Sequence, residues 1–352
     1  MLCNGRLRVA RDNNHFFEDM MVKLNKLLGA MVFSGALAAQ AASITFTTCG
    51  ATGDLGPTQA NCNAAYAAGG PTVVVAAGIQ TWTVPVSGIY RITATGAQGA
   101  SGDAAYVGGR GARVAGSFSL SAGQTIKLAV GQAGSGQSSG NNGGGGGGSF
   151  VVSSADVPML IAGGGGGTRT SVLQNGCDAS ITQYGVIGSG GSQTSACTVK
   201  ATDLGLGGIV SSGSWGSGGG GFNGNGAADP SQCSGFSALS GGHSWLNGMG
   251  GGRNPGGGTS MGGFGGGGEG QGCWGGGGGG GYSGGDGGRV AGGGGSYNAG
   301  TGPAATAGVG VGAGSIVIDV PTAIPTLSEW GMILLAGLLG LGAMVSIRRQ
   351  RR

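Results

Sequence analysis

The chain has 352 residues, 92 of them Gly and 9 Pro, so these two types make up about 29% of it. Charged residues are 9%, against roughly 25% in an ordinary domain, and aromatics only 6%, which excludes a conventional enzyme core; collagen is excluded because Gly does not recur at every third position. The formal charge is +4, but between Ala42 and Gly331 there are 8 Lys and Arg against 10 Asp and Glu, a net of −2, so the body has no basic stripe for nucleic acid.

In chain order, residues 1–19 are polar and read as a misassigned start or an N-terminal extension, with Met20 or Met21 the better first residue. Lys23 and Lys26 then lead into the apolar run Leu27 to Leu37, followed by Ala39-Gln40-Ala41. A basic n-region, a short h-region and an A-x-A cleavage site predict a signal peptide over 20–41, cut by signal peptidase behind Ala39 and Ala41. The run is too short to span a bilayer.

Of the seven cysteines only Cys3 precedes that cleavage site. The exported part keeps Cys49, Cys62, Cys177, Cys197, Cys233 and Cys273, an even number that suits a disulfide framework in an oxidising compartment. Proximity favours Cys49–Cys62, Cys177–Cys197 and Cys233–Cys273 among the fifteen pairings open to six cysteines. A metal site is the competing reading. It has little support, because no C-x-x-C occurs and the exported part holds one histidine, His243. Residues 42–79 are read as an N-terminal disulfide segment.

From Gln80 onward, period-two patterns appear between turn signals. Trp82 pairs with Val84, and Tyr90, Ile92 and Ala94 alternate with Arg91 and Thr93. Val114, Phe118 and Leu120 share a face, as do Ile126, Leu128 and Val130. Phe150 with Val152, Leu160 with Ala162, and Ile316, Ile318 and Val320 complete the set. Short alternating segments separated by Gly, Ser and Pro predict an antiparallel sandwich, closed by a strand about 150 residues beyond the others. No helical period stands out between the two terminal signals.

Between Gly96 and Gly314, 78 of 219 residues are Gly, with runs such as Gly143–Gly148, Gly163–Gly167 and Gly275–Gly281. Ordering glycine costs roughly 1–2 kcal/mol of backbone entropy per residue, and no side chain is present to offset it. What remains is backbone against backbone: extended helices of three residues per turn, of polyglycine-II type, packed side by side where no Cβ intervenes. A flexible linker is the alternative, but linkers rarely carry Trp, Tyr and paired cysteines. Trp215, Phe222, Trp245, Phe264, Trp274 and Tyr282 read as wedges at the edges of the glycine layer.

The segment Trp82-Thr83-Val84-Pro85-Val86-Ser87-Gly88-Ile89-Tyr90, then Ala94-Thr95-Gly96-Ala97-Gln98-Gly99, resembles the glycine-rich domain of the anaplastic lymphoma kinase and leukocyte tyrosine kinase receptors. Gly123-Gln124-Thr125-Ile126-Lys127-Leu128-Ala129-Val130-Gly131, Leu160-Ile161-Ala162 before its glycine run, and Gly281-Tyr282-Ser283-Gly284-Gly285 continue the likeness across about residues 80–320. It is weak between about 168 and 260, where a cysteine-bearing insertion stands. The resemblance implies a jelly-roll-like β scaffold with packed glycine helices, used in those receptors as an extracellular ligand-binding module. No kinase accompanies it here.

Three stretches match chemical motifs in part. Gly281-Tyr282-Ser283-Gly284-Gly285 satisfies G-x-S-x-G, with His243 as candidate base and Asp286 or Asp229 as third member, but the strand–turn–helix context of a nucleophile elbow is missing. Gly270-x-Gly272-x-x-Gly275 has the spacing of a dinucleotide fingerprint without its strand and helix. Gly284-Gly285-Asp286-Gly287-Gly288 departs from the calcium nonapeptide order. Asp156, Asp178, Asp203 and Asp229 read as solvated loop residues.

At the C-terminus, Ile324-Pro325-Thr326-Leu327-Ser328-Glu329-Trp330-Gly331 resembles the IPTLxxWG sorting signal of Gram-negative bacteria. Met332 to Ile347 follows as an uncharged run of about 24 Å as a helix, against roughly 30 Å of hydrocarbon. Arg348, Arg349, Arg351 and Arg352 hold the end in the cytoplasm. The resemblance implies an exosortase-type enzyme as processing partner; an ordinary uncut single-span anchor is the alternative.

The sequence therefore predicts an all-β fold, a jelly-roll-like antiparallel sandwich with packed polyglycine-II-type helices over 80–320, between a signal peptide and a C-terminal transmembrane helix in a sorting segment over 321–352. It needs no cofactor. The leading function is an exported structural or adhesive protein, held in the inner membrane as a precursor and then passed to the envelope or surface. A binding module for a protein or glycan is second, and a secreted hydrolase using Ser283 is last.

Overall fold

Alternating apolar residues build two antiparallel sheets. The first runs in the order β1 (Ser43–Phe46), β11 (Ser315–Asp319), β4 (Gly88–Thr95), β5 (Gly111–Leu120) and β10 (Thr301–Gly310). The second is ordered β2 (Val74–Ala76), β3 (Ile79–Thr83), β6 (Thr125–Ala129), β7 (Ser149–Ser153), β8 (Pro158–Ala162) and β9 (Tyr297–Asn298). This is a computed structural model that describes residues 43–136, 142–210, 215–229, 238–254, 260–270 and 275–321, with six further positions between 336 and 349. Residues 42–321 form one compact unit, so the segment 42–79 contributes its strands to the same two sheets.

The core between the sheets follows from the register. β4 pairs Ile92 with Ile318 of β11 and with Gly116 of β5. Its inward residues Tyr90, Ile92 and Ala94 meet Trp82, Ile126, Leu128, Val151 and Leu160 of the other sheet in one buried cluster. Trp82 packs edge-on against Phe46 at 5.9 Å and Tyr90 at 6.1 Å. The buried Tyr90 hydroxyl donates to the Val86 carbonyl at 2.6 Å, so its polar tip is satisfied. Each such large side chain contributes about 1.5–3 kcal/mol through removal from water.

Strands β7 and β8 of the second sheet are buried on both faces. Phe150, Val152 and Ile161 point away from the first sheet and pack against Phe222, Trp245, Met249 and Phe264. This explains why Phe150-Val151-Val152 and Leu160-Ile161 are continuous apolar runs: strands covered on both sides lose their alternation.

Two features depart from the sequence reading. A seven-residue helix, α1 (Gln59–Ala65), lies where no helical period stood out; Thr58 caps it reciprocally with Asn61. Asp229 is buried at 4% exposure rather than solvated, whereas Asp156 and Asp178 are exposed, as the sequence suggests, and each holds a hydrogen bond. Asp156 accepts from Lys127 at 2.8 Å and from the Trp245 indole at 2.9 Å. Asp178 accepts from the Arg110 backbone N–H at 2.7 Å. With so few polar side chains near the glycine layer, carboxylates serve as caps for its stray N–H groups.

Two disulfides, Cys49–Cys62 and Cys177–Cys197, join the pairs that proximity favours. The first ties α1 to the turn that follows β1. Cys233 and Cys273 lie outside the described residues, as do the signal peptide over 20–41 and the sorting motif from Ile324 to Gly331. Among the described residues no helix is long and apolar enough to cross a membrane, and most of the run from Met332 to Ile347 lies outside them.

Candidate functional site: the glycine layer and its margins

The glycine tracts bond sideways with a period of three. In Gly143–Gly148, the N–H groups of 144 and 147 go to the carbonyls of Ser135 and Gln132. Those of 145 and 148 go to Gly268 and Gly265, and those of 143 and 146 to Thr168 and Gly165. Each third residue thus returns to the same neighbour, and one tract is tied to three. Gly275–Gly281 repeats the rule: 277 and 280 donate to Gly143 and Gly146, and 278 and 281 to Ser217 and Gly220. The bonds are 2.7–3.1 Å long, ordinary for amide to carbonyl.

Close approach makes glycine obligatory here. A Cβ built on Gly145 would overlap the carbonyl oxygen of Gly278 and come within 2.5 Å of its carbon. The obstacle is backbone, which cannot swing aside as a side chain would.

Aromatic rings fill the margin between this layer and the second sheet. Phe150, Trp245, Phe222, Tyr282 and Tyr297 form a continuous column with centroid spacings of 5.9, 6.0, 6.2 and 4.6 Å. Phe150 belongs to β7 and Tyr297 to β9, so the column begins and ends on one sheet. Phe264 lies buried in the same cluster, and Trp215 sits under the Arg289 guanidinium at 5.7 Å. Trp274 lies outside the described residues.

Two buried polar groupings stand inside the layer. Asp229 accepts from the Gly216 N–H at 2.7 Å, and its own N–H is directed at the hydroxyls of Ser217 and Ser240. Glu269 is linked through its backbone to the same two serines, and burial, with the Asp229 charge second, pushes its carboxyl up to about 7. The second grouping is Lys200 with Asp286, whose side chains are 6% and 4% exposed and approach to 2.5 Å. Burial raises the Asp286 carboxyl, against the lowering effects of Lys200 and the Ile209 N–H.

The structure does not assemble a hydrolytic triad from the sequence candidates. Ser283 Oγ is fully buried, donates to the Gln183 carbonyl at 2.6 Å and accepts from the Gly205 N–H at 2.9 Å. It shares no hydrogen bond with His243, and Asp286 is occupied by Lys200 and Ile209. Ser283 therefore ties tracts together. No cluster of three or more His, Cys, Asp or Glu suited to a metal occurs among the described residues. A cleft of about 680 Å³ opens beside the Cys177–Cys197 bridge and is lined by Val107, Arg110, Asn175, Asp178, Thr182 and Val199.

Nothing in the sequence marked Asp229, Glu269, Lys200 or Asp286 as interior groups, since each sits among small residues with no pattern around it. The three-residue bonding period has only one sequence signal, the runs of uninterrupted glycine.

Comparison with known proteins bears on both parts of the chain. A stretch of 95 residues is 39% identical to the leukocyte tyrosine kinase receptor of Mus musculus, covering 25% of this chain. The chain matches only about a tenth of that curated relative, 11% of its length. Residues 322–352 match the IPTL-CTERM motif, which implies export to the cell envelope and an exosortase-type sorting enzyme.

Proposed function

We propose that this chain is an exported cell-surface or matrix protein, structural or adhesive in role, whose glycine-rich β domain is handed to the exterior after a sorting enzyme removes its C-terminal segment. The observation that carries the reading is the IPTL-CTERM match over 322–352, which begins where the compact unit 42–321 ends. A signal peptide over 20–41 and a membrane helix over the uncharged run Met332 to Ile347, with Trp330 at one interface and the four terminal arginines in the cytoplasm, give the same orientation. The three-residue bonding period supports polyglycine-II-type packing on a jelly-roll-like scaffold. A body that is stiff, nearly uncharged and cross-linked suits a display or matrix role.

The test is cell fractionation of the Pro325→Ala and Trp330→Ala variants. Both should accumulate as uncut precursor in the inner membrane. Release of either at the wild-type rate would refute the sorting assignment.

A second reading, a binding module for a protein or glycan, is favoured by the receptor similarity and by the cleft beside Cys177–Cys197. Saturable binding of one ligand by the released protein, lost on Arg110→Ala, would select it over a purely structural role.

A further inference from the structure

We propose that Lys200 and Asp286 condense into an intramolecular isopeptide bond, a covalent cross-link that staples the cysteine-bearing insertion to the last glycine tracts. The inference is independent of the sorting assignment and rests on the contact itself. Lys200 Nζ lies 2.5 Å from Asp286 Oδ1, inside the roughly 2.7–2.9 Å of an ammonium–carboxylate hydrogen bond. Nζ makes no well-directed hydrogen bond to any described residue, although it is buried. The buried ion pair holds the amine beside the one carboxyl it can attack.

The surroundings favour the protonated form of the Asp286 carboxyl. Both side chains are more than nine-tenths buried, and two charges held there lack the water that would compensate them. Burial raises the Asp286 carboxyl, and the neighbouring Asp203 charge adds to the effect. A proton moves from the Lys200 ammonium to the Asp286 carboxylate, leaving a free amine and a carboxylic acid. Such an amine, desolvated and held in place, is an activated nucleophile.

The Ile209 backbone N–H donates to Asp286 Oδ1 at 2.9 Å, so that oxygen is polarised and retained. Nζ adds to Cγ, Oδ2 leaves as water with the two protons shed by nitrogen and acid, and an amide Nζ–Cγ bond remains. No oxidant or cofactor enters the balance. The new carbonyl keeps its Ile209 hydrogen bond, and two buried charges are replaced by one neutral group.

The position makes the link consequential. Lys200 follows the Cys177–Cys197 bridge by three residues, its backbone N–H donates to Gly185, and Asp286 lies 86 residues further along the chain. The bond closes a loop over Gly218–Gly221 and Gly265–Gly268, tracts with few side chains of their own. Unlike a disulfide, it would persist under reduction.

The test is mass spectrometry of the full exported chain after reduction of its disulfides. The wild type should weigh one water less than its sequence. Digestion should give a branched peptide joining the Lys200 segment to the Asp286 segment. Lys200→Arg and Asp286→Ala should each restore the full mass, and Asp286→Asn should form the same branched product with loss of ammonia instead of water. Loss of water alone does not suffice, because Asp286-Gly287 also cyclises to a succinimide; the branched peptide separates the two. Full mass in the folded wild type, or a missing water with cleavage still occurring at Lys200, would overturn the proposal without recourse to any variant.

Discussion

Replacing Gly278 by Ala gives the most direct measure of the glycine layer. Gly278 donates to the Ser217 carbonyl at 2.9 Å and accepts from the Gly268 N–H at 2.8 Å. A Cβ there overlaps the Gly285 carbonyl oxygen, comes within 2.7 Å of its carbon, and lies 2.8 Å from the Gly219 nitrogen. Gly285 would have to withdraw by about 1.4 Å to reach ordinary van der Waals contact. That movement pulls apart two bonds, Gly219 N–H to the Gly285 carbonyl and Gly285 N–H to the Gly279 carbonyl, each 2.9 Å. Leaving buried amide groups unpaired costs about 1–3 kcal/mol each, so the loss is about 3 kcal/mol or more. At roughly 2–4 °C per kcal/mol for a unit of this size, thermal unfolding of the full chain should fall by roughly 6–12 °C. Gly224→Ala is the control, because the nearest atom to its added Cβ is at 3.4 Å. In a flexible tether the first substitution would be neutral or stabilise by about 0.4–1 kcal/mol through the unfolded chain. Coincident melting of the two variants would refute a packed layer.

Three further outcomes follow from the margins. Trp245→Ala removes the second ring of the aromatic column and the indole donor to Asp156, and should cost about 3–5 kcal/mol, with Trp245→Phe losing only the roughly 1 kcal/mol hydrogen bond; denaturant unfolding distinguishes them. Cys49→Ser and Cys177→Ser open loops of 13 and 20 residues and should each cost about 3 kcal/mol in the chain-entropy account, readable as a drop in denaturation midpoint. Glu269, with its carboxyl raised to about 7 from 4.5, favours the folded state when protonated. Its contribution is complete below pH 4.5 and is lost as pH rises through 7, up to about 3 kcal/mol; Glu269→Gln should flatten this slope in melting curves from pH 4 to 8, and an unchanged slope would remove Glu269 as its source.

The strands that the sequence makes visible are those whose side chains pay attention to both a core and a solvent side. Tyr90, Ile92 and Ala94 alternate because one face of β4 meets the other sheet, and the alternation reads directly. β10 was invisible for the opposite reason. Thr301–Gly310 is an edge strand of Gly, Ala and Thr with seven exposed residues in succession, so nothing in it is patterned by burial. β9 is two residues long, and α1 carries only its Thr58 and Asn61 cap as a signal. The Lys200–Asp286 contact was equally hidden, because partners 86 residues apart in a glycine-rich chain share no periodic frame.

Glycine runs announce that side chains are excluded, but they do not say which tract lies beside which. A net hydrogen bond contributes about 0.5–1.5 kcal/mol, no more than the roughly 1–2 kcal/mol of backbone entropy each ordered residue gives up. Sideways bonding alone therefore leaves the layer without a surplus, and its order must be imposed from the margins. The chain places its large side chains accordingly. Phe222, Trp245, Phe264 and Tyr282 interrupt the tracts where they meet the second sheet, and their burial supplies the apolar contribution that glycine lacks. Cys177–Cys197 lies within the insertion, and the Lys200–Asp286 pair joins the insertion to the last glycine tracts. The same division explains why the Asp229 carboxylate is buried where Ser217 and Ser240 meet. A tract whose N–H groups fan out to three neighbours leaves some of them without a carbonyl at its ends, and an acceptor side chain is the remaining way to satisfy them.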